Sequence, residues 1–315
     1  MEHVPVLLEA AVDALNVQQS GIYLDATFGR GGHSRRILGR LGPSGRLIAL
    51  DADPDAIAFG RLHIDDPRIE LIQTNFSAID SVVDQHVPAG RVDGILMDLG
   101  VSSPQLDEPA RGFSFRDDGP LDMRMDPTRG PSAAEWLERV DEAELVDVLK
   151  HLGEERFARR IARAVVRTRG ERDIRTTGEL AGIIAAAVPG AHGGARIHPA
   201  TRSFQAIRIA VNAELESLDR ALDAAIDCLA PGGRLVVISF HSLEDRRVKQ
   251  AIRAAARPPA ASRRAPSAPE FRPRLRAVGK LVRPSDAELA ANPRARSARM
   301  RVAERVAATP QGGAT

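Results

Sequence analysis

Cysteine occurs once in the 315 residues, at position 228, so no disulfide can close within the chain. One thiol in a chain of this length suits a reducing compartment, and cytoplasm is the expected location. Aromatic residues make up 3% of the chain, with one Trp and one Tyr, which excludes a broad base-stacking platform of the single-strand-binding type. Long hydrophobic runs are also missing. The most apolar windows, Leu180 to Val188 and Leu235 to Phe240, fall short of the roughly 18 residues needed to cross a bilayer, so no membrane partner is expected. The first fifteen residues contain no Lys or Arg and no small-residue cleavage site after an apolar run, which argues against a secretory signal.

What is present suffices for a full core: 43% of the residues are hydrophobic, and the length suggests one large domain or a domain with a sizeable insertion. The net charge is only +2, but it is unevenly spread. From Arg247 to Arg305 there are sixteen Lys or Arg against four Asp or Glu. Such a basic region favours a polyanionic partner, although an arginine-rich solvated surface gives the same composition.

Strand and helix signals alternate in the first hundred residues. Gly21 to Asp25 is a short apolar run ending in a carboxylate, followed by Gly29, Gly31 and Gly32 and a helical stretch from His33. Arg46 to Asp51 followed by Pro54 repeats the unit, with proline at the helix start. Ile69 to Gln73 and Asp93 to Asp98 supply two more strands. The alternation implies a mostly parallel sheet covered on both faces. After Asp98 comes a loop rich in Gly, Pro, Ser and Asp, and then helices. Ser132 with Glu135, Asp141 with Glu144 and Thr176 with Glu179 match a capping box or a close variant, and Gly153 is placed to end a helix. A helix from about Ala206 to Leu229 and a strand from Arg234 to Phe240 resume the alternation. Leu275 to Val282 and Ser297 to Val306 are the last strand candidates, and Arg257 to Arg276 reads as an extended loop.

The glycine turn after the first strand lets backbone approach a nucleotide-like ligand, and the next helix offers free N–H groups. A dinucleotide fingerprint counted from Gly29 finds Gly31 and then Ser34 where a third glycine belongs. That failure favours S-adenosylmethionine over NAD as cofactor. Asp51, 22 residues after Gly29, ends the second strand where a carboxylate accepts from ribose hydroxyls, whereas Asp53, directly before Pro54, better fits a helix cap. Asn75 and Phe76 follow the third strand; Phe76 either stacks on the adenine or is a core residue.

Asp98 opens the polar loop Asp98-Leu-Gly-Val-Ser-Ser-Pro-Gln105 at the carboxyl edge of the sheet, where ligands bind in such folds. An exocyclic base amine is a poor nucleophile because its lone pair is delocalised into the ring. A carboxylate such as Asp98, or a carbonyl near Ser103 and Pro104, can hold the amine N–H and aim the lone pair at a sulfonium methyl. The alternative is an aspartate that merely caps its loop.

The blocks His3-Val-Pro-Val-Leu-Leu, Asp25-Ala-Thr-Phe-Gly-Arg-Gly-Gly-His33, Asp98 to Gln105, Arg111-Gly-Phe-Ser-Phe115 and Gly119-Pro-Leu-Asp-Met-Arg-Met-Asp126 carry a resemblance. So do Gly153-Glu-Glu-Arg156, Phe204-Gln-Ala-Ile-Arg208, Ser239-Phe-His-Ser-Leu-Glu-Asp245 and Asn292-Pro-Arg-Ala-Arg296. In this order, over nearly the whole chain, they resemble the bacterial 16S rRNA (cytosine-N4)-methyltransferase family known as RsmH or MraW. The resemblance implies an α/β, class I S-adenosylmethionine-dependent methyltransferase fold, Rossmann-like, with an inserted all-helical domain. It implies methylation at N4 of a decoding-site cytidine of 16S rRNA, position 1402 in the usual rRNA numbering, on the small ribosomal subunit. Its cofactor contacts carry over to Gly31, Gly32, His33, Asp51, Phe76, Asp98 and Gln105.

The expected division is 1–106 for the first part of the methyltransferase domain, 107–200 for a helical RNA-recognition insert and 201–315 for the second part with its basic region. Amino-methyltransferases often carry a Pro-Pro-aromatic motif after the fourth strand, where this chain has Ser102-Ser103-Pro104-Gln105. Amine positioning therefore falls to Asp98, Ser103 or His241, with His3 a further candidate; a lone histidine is more often structural. No metal-ligand set is assigned, and a homo-oligomer is left open. The competing readings are a nicotinamide-dependent oxidoreductase and an assembly factor that binds RNA without chemistry.

Overall fold

A computed structural model describes residues 5–189, 198–258 and 271–307. Among these residues seven strands form one sheet: β1 (Ile22–Asp25), β2 (Arg46–Asp51), β3 (Ile69–Gln73), β4 (Val92–Asp98), β5 (Leu229–Ser239), β6 (Leu275–Ala277) and β7 (Arg299–Arg305). Their spatial order is β3-β2-β1-β4-β5-β7-β6. The first five neighbours run parallel, and β7 lies antiparallel between β5 and β6. Helices α1 (Leu8–Leu15), α2 (Gly32–Leu38), α3 (Pro54–His63), α4 (Ile79–His86) and α12 (Ser242–Ala256) connect and cover these strands, with α11 (Glu214–Cys228) leading into β5.

The central strands are largely apolar because both faces are covered. Alternate residues feed two cores. Leu24, Ile48, Leu50, Ile95 and Met97 pack with Ile79, Leu222 and Val248 on one side. Tyr23, Leu47, Leu96, Val236 and Ile238 pack with Val12, Leu15 and Ile37 on the other. At α3 the sequence sets its own start: Asp53 accepts from the Asp55 N–H at 3.0 Å, with Pro54 in the first turn.

The chain divides into two compact units, one comprising Met1–Gly100 with Glu216–Thr315 and the other Val101–Leu215. The second is helical, with α5 (Ser103–Asp107), α6 (Ala133–Arg139), α7 (Glu142–His151), α8 (Ala158–Glu171), α9 (Thr177–Ala187) and α10 (Ala200–Val211). Its core joins Leu137, Leu145, Leu149, Ile161, Leu180 and Ile184 to Phe204 and Ile207 of α10. Those α10 contacts explain why this unit extends past residue 200. Ser132 with Glu135 and Thr176 with Glu179 form reciprocal capping boxes, whereas Asp141 accepts from the Glu144 N–H at 2.7 Å without the return bond.

Four details differ from the sequence reading. The helix expected from Ala206 to Leu229 is two helices, α10 and α11, broken where Asn212 caps α10 and Ala213 takes φ +46°. The run Ala230 to Gly233, expected to precede a strand that begins at Arg234, lies inside β5. It is an irregularity within β5, whose pairing with β4 jumps from Val92↔Leu229 to Gly94↔Arg234. The strand expected over Leu275 to Val282 is regular only to Ala277, and Val282 meets Met300 in an isolated bridge. The loop expected over Arg257 to Arg276 gives way to β6 at Leu275, and its stretch 259–270 lies outside the described residues.

Candidate active site

Three parallel strands end on a carboxylate: β1 on Asp25, β2 on Asp51 and β4 on Asp98. Because the strands run parallel and adjacent, the three side chains collect at one edge of the sheet, beside the turn from Thr27 to His33. The turn is held from below by Phe28 N–H donating to Leu50 O at 2.8 Å and Ala26 N–H to Leu96 O at 2.8 Å.

Asp51 holds this turn directly. Its Oδ2 accepts from the Gly29 N–H at 2.7 Å and its Oδ1 from the Asp53 N–H at 2.9 Å. Each carboxylate oxygen keeps a second lone pair, so the group retains capacity for ligand hydroxyls. Burial pushes its pKa up to about 6, against the lowering effect of the two N–H donors.

The two glycines named as cofactor contacts are also required by the fold. Gly31 has φ +73°, and a Cβ there would lie 2.8 Å from the Phe28 ring. A Cβ on Gly32 would lie 2.1 Å from Pro5 Cγ. Bare backbone therefore lines the turn and opens α2, leaving its first N–H groups for a ligand.

Ser34, at the position where a dinucleotide fingerprint has glycine, donates its hydroxyl to Asp25 Oδ2 at 2.6 Å. Asp25 is wholly buried, and burial raises its pKa to about 6 despite the Ser34 and Thr27 donors. Sequence reading noted Asp25 only as a strand end and Ser34 only as a missing glycine. The pairing of an acid ending a strand with a serine nine residues on was the available signal.

Asp98 receives less support. Its side chain is 23% exposed, yet Oδ1 is buried with no hydrogen-bond partner among the described residues. Burial first, then the nearby charges of Asp25 and Glu244, hold its pKa well above the usual carboxylate range. His33 Nε2 sits 3.2 Å from the Val6 carbonyl, to which it donates, and its Nδ1 edge faces Asp98 Oδ2 at 3.7 Å. The site thus concentrates acids that gain from a cation or from hydrogen-bond donors. A sulfonium cofactor with ribose hydroxyls and an amino group supplies both, so these residues fit S-adenosylmethionine.

His241 caps α12: its Nδ1 accepts from the Glu244 N–H at 3.4 Å, while Glu244 Oε2 accepts from Phe240 N–H at 2.8 Å and His241 N–H at 3.2 Å. Glu244, 3% exposed, is a second acid that sequence reading passed over. Phe76 begins a short 3₁₀ turn capped by Asn75 and lies half-buried against the sheet core, so both roles foreseen for it stand. Ser103 and Gln105 belong to the helical unit. Ser103 is the first residue of α5, and Gln105 Oε1 accepts from the Ser102 N–H at 2.9 Å, closing a capping box. His3 lies outside the described residues. Among those residues no helix is long and apolar enough to cross a membrane.

Solved structures similar to this chain include an rRNA methylase from Streptococcus thermophilus, 13% identical over 98% of this chain and 99% of that one, with a TM-score of 0.41. Another is the N-methyltransferase NodS from Bradyrhizobium japonicum in complex with S-adenosyl-L-homocysteine, 11% identical over 98% of this chain and 90% of that one, with a TM-score of 0.40. The MraW methylase family matches residues 1–306; the chain belongs to that family and is an S-adenosylmethionine-dependent methyltransferase of the class I fold.

Proposed function

We propose that this methyltransferase acts on rRNA and transfers its methyl group to N4 of a decoding-site cytidine of 16S rRNA, position 1402, within the small ribosomal subunit. The observation that carries the chemistry is Asp98 at the end of β4, whose buried Oδ1 lacks a hydrogen-bond partner among the described residues. An acceptor in want of a donor suits an exocyclic amine, which must donate its N–H in a hydrogen bond for its lone pair to be aimed at the methyl. Membership of the family and the ordered sequence blocks support this choice of target.

S-adenosylmethionine, when bound, supplies a methyl group on a positively charged sulfur that leaves as a neutral thioether. In this reading Asp51 accepts from the ribose hydroxyls while still holding Gly29, and Gly31, Gly32 and His33 form the backbone wall of the pocket. Phe76 packs on the adenine, and Gln105 completes the cofactor contacts. Asp98 aligns the amine by accepting one of its hydrogens, and its raised affinity for a proton suits it to take the one the amine loses on alkylation. Ser103 and His241 are secondary candidates for holding the amine. The helical stretch 107–200 and the basic region after Arg247 grip the RNA.

The test is the product. Small subunits lacking the modification, incubated with S-adenosylmethionine and the enzyme, should yield N4-methylcytidine on nucleoside digestion. Finding 5-methylcytidine or a methylpurine instead would overturn the assignment to an amine of cytosine.

A further inference from the structure

A cavity of about 450 Å³ opens between the second half of α12 and the β6–β7 edge of the sheet. Four cations stand at it, Lys249, Arg253, Arg257 and Lys280, all exposed. None of the four pairs with a carboxylate among the described residues. The fifth lining cation, Arg301, is already committed to Asp245, with Nε to Oδ1 at 2.7 Å and Nη2 to Oδ2 at 3.1 Å. Apolar side chains such as Ile252 and Val302 form the remainder of the wall.

Two features separate this surface from an ordinary solvated basic face. The favourable field at a helix C-terminus accounts for Arg253 and Arg257, at the end of α12, but not for Lys249 a turn earlier or Lys280 beyond the helix. Among the described residues the lining also holds no Asp, Glu, Asn, Gln, Ser, Thr or aromatic residue. No acidic, amide, hydroxyl or aromatic side chain among them is there to select one base over another. What remains is recognition of negative charge, with apolar wall for sugar, and such contacts position a nucleic acid without reading its sequence.

We infer that this cavity is a docking site for the phosphate backbone of the substrate RNA, separate from the catalytic pocket. The inference rests on the rRNA reading above. A free nucleotide would carry the same phosphate chemistry, but among the described residues the cavity holds no acidic, amide or aromatic side chain to select its ribose or its base.

The test is a triple variant, Lys249→Gln with Arg253→Gln and Lys280→Gln, in the full chain. Binding to small subunits is measured across a salt series, binding of S-adenosylmethionine is measured by calorimetry, and AMP and pyrophosphate serve as small-anion probes. Loss of three contacts should flatten the slope of log affinity against log salt by about 2 units, at roughly 0.7 per single-strand phosphate. Cofactor affinity should be unchanged. An unaltered slope would overturn the inference, as would loss of AMP or pyrophosphate binding with RNA binding intact. Should wild-type enzyme bind subunits through these cations yet transfer no methyl group, the docking site stands and the proposed function falls.

Discussion

The Ser34 hydroxyl donates to Asp25 Oδ2 at 2.6 Å, so the residue that breaks a dinucleotide fingerprint secures a fully buried acid beside the turn from Thr27 to His33. Replacing Ser34 by Ala leaves that carboxylate short of a donor where water cannot substitute. Stability should drop by about 1–3 kcal/mol, the range for orphaning a buried polar group, and urea denaturation checks it. An unchanged midpoint would mean that the hydroxyl is dispensable.

Gly29 and Gly31 both have positive φ, +56° and +73°, but they differ in surroundings. A Cβ at Gly29 meets nothing within 4 Å, whereas one at Gly31 meets the Phe28 ring at 2.8 Å. Gly29→Ala should therefore cost only the left-handed penalty of about 1–2 kcal/mol. Gly31→Ala should cost more and should weaken S-adenosylmethionine binding in calorimetry. Equal effects would show that Phe28 yields freely.

Much of this region was legible from sequence because it is local. The bounds of β2 and β3 follow from short apolar runs, the cap at Asp53 from its place before Pro54, and the turn from its glycines. What remained hidden depends on contacts distant in the chain. The pairing of Asp51 with Gly29, the approach of His33 to Asp98 and the charge of Glu244 near Asp98 exist only once β1, β2, β4 and β5 lie side by side. Hydrophobic periodicity also does not report strand order, so the insertion of antiparallel β7 between β5 and β6 was not readable. The break at Asn212–Ala213 was missed because the apolar spacing continues across it.

Acidity around the cofactor turn should register in stability. In the folded protein Asp25 is raised from 3.8 to about 6, so between about pH 4 and pH 6 the native state binds more protons than the unfolded chain. The contribution is present below pH 4 and lost as pH rises through 6, a fall of up to about 3 kcal/mol for this group. Denaturation at pH 4 and pH 7 should show a shallower fall in Asp25→Asn than in wild type. A parallel pH dependence would remove Asp25 as its source.

Cofactor affinity should run the opposite way with pH. Asp51 is raised to about 6 in the free protein, and ribose hydroxyls donate best to its ionised form. S-adenosylmethionine binding should tighten from pH 5 to pH 7. Asp51→Ala should weaken it by roughly 1.5–3 kcal/mol at pH 7 and flatten the pH dependence. Wild-type affinity in the variant would exclude Asp51 from the ribose site.

Asp98 is proposed to act on the amine, and kinetics separates that role from cofactor binding alone. If it aligns the amine, Asp98→Asn should lower kcat by about 10²-fold or more with little change in the dissociation constant for S-adenosylmethionine. A variant that loses cofactor affinity while keeping kcat at saturation would assign Asp98 to cofactor binding alone.

The central claim is tested most directly by supplying S-adenosylmethionine with a labelled methyl group to undermethylated small ribosomal subunits and mapping the label. The account predicts one labelled nucleotide, the decoding-site cytidine of 16S rRNA, carrying the methyl on N4. Label on any other nucleotide, or none in 16S rRNA, would contradict it.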